Sequence, residues 1–144
     1  MLNINGIDIS TDLRAIAKTF SSPKKVYPTL ATTTLLTCSA AAWTLGNAIE
    51  IVPINTITER FRIDYVSFSG ANTAATYEVV FYKGLAGSEI EIGRTRVHPG
   101  AVNGAVIGVP LYTALIDANE RISAKAASGN AYTIYASIVY HIDE

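Results

Sequence analysis

The chain has 144 residues, 49% hydrophobic and 16% charged, with mean hydropathy +0.28, formal net charge -1 and pI near 6.1. The charged share lies well below the roughly 25% of an ordinary soluble domain, and the length suits one domain rather than two. Near-neutral charge leaves no field to hold a phosphate backbone, which argues against bulk nucleic-acid binding, and the single cysteine, Cys38, excludes an intrachain disulfide and a thiolate zinc cluster.

In chain order, Met1-Leu2-Asn3-Ile4-Asn5-Gly6 has no basic region, and Asp8 and Asp12 interrupt the apolar residues after it. No secretory signal peptide is expected, and synthesis in a cytoplasm is. Ser10 or Thr11 can cap a short helix whose apolar positions Leu13, Ile16, Ala17 and Phe20 fall at i, i+3, i+4 and i+7. Ser21-Ser22-Pro23 stops it, and Lys24-Lys25 lead into an extended segment through Tyr27-Pro28. Residues 1–32 therefore read as an N-terminal arm and residues 33–144 as a single β domain. The arm either packs on its own domain or reaches onto a neighbour.

Val26 to Ile49 runs 24 residues without a charge, long enough to span a bilayer on length alone. Six threonines together with Pro28, Gly46 and Asn47 make it strand and turn instead. A second charge-poor stretch, Val97 to Ile116, is cut by Pro99, Gly100, Gly104, Gly108 and Pro110, so it cannot be one helix. No membrane association is expected.

From Thr33 the signals are β. Thr33–Cys38 and Ala48–Val52 are the first two strands. Phe61, Ile63 and Tyr65 alternate with charged residues, then Val66 and Phe68 switch parity, which reads as a strand covered on one face at its start and on both later. Thr76–Lys83 places Tyr77, Val79 and Phe81 on one side. Ile90 and Ile92 oppose Glu89 and Glu91, and a bulge at Gly93 would return Arg94 and Arg96 to solvent and Val97 to the core. Asn103-Gly104 suits a two-residue hairpin. Arg121–Ala126 alternates, and Tyr132, Ile134, Ala136, Ile138, Tyr140 and Ile142 recur at period two. About eight short strands without crossover helices predict an all-β, antiparallel, jelly-roll-like sandwich with an N-terminal arm containing a short helix. Ser128-Gly129-Asn130 is either a tight hairpin pairing the last two strands or a corner sending them to different sheets.

No catalytic, metal or cofactor site emerges. Glu89 and Glu91 lie about 7 Å apart on a strand, within the range of a glycosidase pair, but nothing in the sequence suggests a cleft and they read as a solvated strand face beside an apolar one. His98 and His141 lack the spacing of a metal site. Trp43 and the eight tyrosines fill cores and subunit contacts or form a sugar-stacking platform. Tyr135, Val139 and His141 occupy the face opposite the inward series of the last strand. That face is too apolar for open solvent, so the arm or another subunit is expected to cover part of it.

The phrases Ile57–Tyr65, Ala75–Gly84, Glu91-Ile92-Gly93-Arg94 and Asn119–Gly129, together with a long terminal strand, resemble small jelly-roll structural proteins of tailed bacteriophages over residues 57–142. Families of this kind decorate or cement capsids, or form neck, fibre-base and baseplate modules, commonly as trimers, and carry no enzymatic residues to transfer. The resemblance implies a virion location, sister subunits as partners, and the major capsid protein or another virion protein as the support. On that reading Leu13, Ile16 and Phe20 of the arm, or the loop around Trp43, dock on the shell. A carbohydrate-binding adsorption module that takes a host glycan on its aromatics is the alternative of another class, and a glycosidase the weakest.

Overall fold

The computed structural model describes residues 3–4 and 7–8 as backbone strands, and residues 23–29, 33–99 and 106–143. Two short strands, β1 (Asn3–Ile4) and β2 (Ile7–Asp8), pair with each other. Nine further strands form two antiparallel sheets: β3 (Lys25–Tyr27), β4 (Thr34–Thr37), β5 (Ile49–Val52), β6 (Phe61–Ser69), β7 (Tyr77–Lys83), β8 (Ile90–Val97), β9 (Ile107–Pro110), β10 (Ile122–Ala127) and β11 (Thr133–Ile142). The four-stranded sheet runs β5-β10-β7-β8. The five-stranded sheet runs β3-β11-β6-β9, with β4 also on β11.

The pairings are nested: β4 with β11, β5 with β10, β6 with β9 and β7 with β8. Such a pattern is one long hairpin rolled around a core, the wrapping of a jelly roll, and the all-β sandwich expected from the alternation is what forms. β10 and β11 fall in different sheets, so Ser128-Gly129-Asn130 is a corner. Ser128 is tied there by its hydroxyl, which donates to the Thr76 carbonyl at 2.7 Å.

β3 and β4 lie end to end along one edge of β11, pairing Ile138–Tyr140 and Thr133–Ala136 respectively. Together they are one edge strand interrupted between Tyr27 and Thr34, opposite the single residue Ser137. The hydroxyl of Ser137 is buried without a hydrogen-bond partner. Thus β3, inside the segment read as an arm, belongs to the five-stranded sheet. The helix expected around Leu13, Ile16 and Phe20 and the hairpin expected at Asn103-Gly104 lie outside the described residues.

The core fills the space between the sheets. Phe61, Ile63, Val66 and Phe68 from β6 meet Tyr77, Val79 and Phe81 from β7, with Ile134, Ala136 and Ile138 of β11 and Ile122, Ala124 and Ala126 of β10 completing it. Phe61 and Tyr140 make an edge-to-face ring contact at 5.6 Å. The parity switch in β6 has a different cause from two-sided cover. The register with β11 slips between Val139 and Tyr140, which pair Tyr65 and Ile63, so Asp64 is an extra residue. This bulge puts Phe61, Ile63, Val66 and Phe68 all on the core face and turns Tyr65 outward. On β8 the slip falls where Phe81 and Tyr82 pair Gly93 and Glu91, and the expected reset occurs: Arg94 and Arg96 are exposed while Val97 is buried. Ile90, expected to share the inward face of Ile92, is exposed instead, because it sits at the strand's first position beside the open 84–89 loop.

Candidate functional site

The extra residue at the β6 bulge, Asp64, positions the one buried charged cluster among the described residues. Its carbonyl accepts hydrogen bonds from the N–H groups of Leu111 and Tyr112 at 3.0 and 3.1 Å, and next to it Ile63 N donates to Thr113 Oγ1 at 3.0 Å. Held by these, the Asp64 carboxylate turns to the outer side of the five-stranded sheet and takes Nδ1 of His141 at 2.9 Å to each oxygen, with Lys24 Nζ at 3.0 Å. A carboxylate only accepts, so Nδ1 carries the proton. His141 is buried beside β3, out of reach of any substrate. This cluster fastens Lys24 and the β3 strand after it to the sheet. It is a structural clasp.

Sequence expectations for the other site residues resolve differently. Leu13, Ile16 and Phe20 lie outside the described residues. Val139 and His141, read as partners for the arm or a sister subunit, are buried in the single chain, which corrects their reading as subunit-contact residues: they offer no surface to a second molecule. Tyr135 keeps 37% of its surface and lies against Gly70. Trp43 is 52% exposed, held by its N–H donating to the Ser128 carbonyl at 2.7 Å. The Arg96 guanidinium sits 5.5 Å over the Trp43 ring, so a cation already occupies one of the flat faces a sugar would need.

Glu91 accepts two hydrogen bonds from Arg94, at 2.7 and 2.9 Å, and the arginine holds its carboxyl below the usual carboxylate range. A glycosidase acid needs the opposite displacement. Glu89 accepts from Gly87 N at 2.9 Å and faces Arg121 at 3.8 Å. His98 Nδ1 shares a hydrogen bond with Thr76 Oγ1 at 2.9 Å, in the open. Cys38 is buried, and desolvation pushes its thiol up to about 11. Among the described residues no three His, Cys, Asp or Glu side chains come together as a metal site, and no helix is long and apolar enough to cross a membrane.

What distinguishes the molecule is the contrast between its two outer faces. On the four-stranded sheet the outward residues are charged and paired: Glu78 lies 3.6 Å from both Arg94 and Arg96, Lys125 sits 5.1 Å over the Tyr82 ring, and Arg121 meets Glu50 at 2.8 Å. The outward row of the five-stranded sheet reads Val26, Leu35, Tyr65, Ser67, Ser69, Gly108, Pro110, Tyr135, Ser137, Val139 and His141; Ser137, Val139 and His141 of the central strand are buried, and Val26, Leu35, Tyr65 and Tyr135 around them stay exposed. Among the described residues its charges stand at one margin, where Lys24 pairs Asp64 and Arg62 lies 3.6 Å from Asp143.

No family model matches the chain, and no curated protein matches it. Among solved structures it is similar to a chain of the infectious bursal disease virus Gt strain, at 11% identity and TM-score 0.42, over 85% of this chain and 33% of that one. A chain of the Bacillus endospore appendages, described as a novel family of disulfide-linked pili, is similar at 13% identity and TM-score 0.40, over 85% of this chain and 88% of that one. The Gx strain of the same virus gives 12% identity and TM-score 0.35, over 84% and 33%. The chain spans about a third of the length of the viral chains it matches.

Proposed function

We propose that the protein is a non-enzymatic structural subunit of a virion, a capsid decoration or cement protein of a tailed bacteriophage that works as a homo-oligomer, commonly a trimer in proteins of this kind. One observation carries the reading: the outer face of one sheet is dressed with paired charges for water, while the other presents large apolar side chains to the outside. Large apolar side chains left exposed on one face suit a contact site, and a chain with so few charges has little else to present. A shell-bound subunit of this type would stabilise the assembled state by mass action, since it binds neighbouring shell subunits together and not singly. A neck, fibre-base or baseplate module would use the same surfaces.

The glycan-binding alternative loses ground because Trp43, the aromatic expected to stack on a sugar, has Arg96 over one face of its ring. The glycosidase reading loses ground because Glu91 is committed to Arg94.

The deciding experiment locates the protein in purified particles by mass spectrometry and an epitope tag imaged on the intact virion. Regular copies on the particle surface are expected. Absence from particles, with the protein free in the lysate, would contradict the proposal.

A further inference from the structure

We propose that Lys24 and Asp64 condense with each other to an amide bond, promoted by His141, so that the clasp on the outer side of the five-stranded sheet becomes a covalent cross-link within the chain. The inference goes beyond the assembly reading and does not depend on it.

Three neighbouring strands bring the groups together. Lys24 stands before β3, His141 on β11 and Asp64 at the bulge of β6, and the pairings of β11 with β3 and β6 fix their places. Nζ of Lys24 lies 3.0 Å from Oδ2 of Asp64. With a C–O bond of about 1.23 Å, Cγ is then no more than about 4.2 Å from the amine, near the roughly 3–3.5 Å of atoms about to react. The chemistry of this ion pair also suits it to condensation. In the pairs made by Arg62, Arg94, Arg96 and Arg121 the cation is a guanidinium, which stays charged and has no electron pair to offer. An ammonium that gives up a proton becomes an amine nucleophile. Among the described residues Asp64 is the most buried of the paired carboxylates, with 7% of its side chain exposed against 16–45% for the others, so little water is at hand to hydrolyse the bond.

The protons balance within the pair. Lys24 passes one proton to Oδ2, and its lone pair then adds to Cγ, placing negative charge on Oδ1. Nδ1–H of His141, 2.9 Å from each oxygen, donates to that charge as it grows. A second proton moves from Nζ to the protonated oxygen, the C–O bond breaks, and water leaves along the side of Lys24 that is one-third open. One C–N bond replaces one C–O bond, two ammonium protons and one carboxylate oxygen depart as water, and nothing is oxidised or reduced. Fixed geometry of this kind supplies an effective concentration of about 10⁵–10⁸ M, far above that of the water that would reverse the step. The bond gives a chain with one cysteine the staple it cannot make from sulfur. It ties the three-residue edge strand β3 to β6 across β11 and closes the loop from 24 to 64 as a disulfide would.

Mass spectrometry of the full chain, sampled over time after cell-free synthesis and denatured before weighing, tests this. The expected product is lighter by one water and yields a branched tryptic peptide joining residues 19–25 to residues 63–83. Lys24→Arg, which keeps the ion pair and has no amine, should fold and keep the full mass. His141→Phe should lose water at least about a hundredfold more slowly, and an equal rate overturns the part given to His141. A folded unaltered chain that holds its full mass for days overturns the cross-link, and so does a lost water that maps to any other pair of residues.

Discussion

Single side chains do two kinds of work in this molecule. Asp64 is held by a bulge and by two backbone donors from the loop after β9, and it binds His141 from a position 77 residues away. Removing one partner of a buried charged pair leaves the other unsatisfied. Asp64→Ala should therefore destabilise the fold by about 3 kcal/mol in urea denaturation, whereas a loss below about 1 kcal/mol, the value of an exposed pair, would show that the clasp is ornamental. Trp43 is the opposite case. It stands on a corner loop, largely in water, so Trp43→Ala should cost about 1 kcal/mol or less and leave the oligomer intact; loss of glycan binding on an array in that variant would revive the adsorption reading. Cys38 should stay silent. With its thiol pushed up to about 11 by burial, it has almost no thiolate at pH 8, so a disulfide reagent should label it only as fast as the chain unfolds. Fast labelling of the native protein would place Cys38 near the surface.

At the scale of strands, most of the architecture is legible in the amino-acid pattern. Period-two alternation in 77–83, 122–127 and 133–142 and the turn residues between them point to a two-sheet antiparallel fold, because alternation is the direct trace of one buried and one open face. The hidden part depends on non-local pairing. The change of parity between Tyr65 and Val66 carries the bulge in plain view, but parity alone does not separate a bulge from a strand buried on both sides. Only the slipped register with β11 decides between them. The partition of Tyr135 from Val139 and His141 is likewise out of reach of pattern. All three share one face of β11, yet His141 is enclosed because Asp64 arrives from another strand. The interrupted edge made of β3 and β4 has no sequence marker beyond Pro28.

The tight approach of Tyr135 to Gly70 gives a test at this scale. Gly70 has φ +57°, and a Cβ there would come within 2.7 Å of the tyrosine ring. Gly70→Ala should lower stability by about 1–2 kcal/mol from backbone strain alone, read as a fall in Tm. Gly129→Ala, where nothing lies within 4 Å, should leave it nearly unchanged. Equal effects at the two sites would mean that Gly70 does not hold its left-handed φ.

For the molecule as a whole, the low charge and positive hydropathy find their explanation in how residues are distributed between its surfaces. Among the described residues, the charges on the outer face of the four-stranded sheet pair with one another, while the five-stranded sheet keeps its charges at one margin and leaves Val26, Leu35, Tyr65 and Tyr135 exposed. A protein built in this way should associate. Sedimentation equilibrium of the unaltered chain over a wide concentration range reads that association without altering a residue. The expected result is a defined oligomer, a trimer if the resemblance to phage decoration proteins holds, with dissociation to single chains only on dilution. A monodisperse species of 15.4 kDa at every concentration would contradict it.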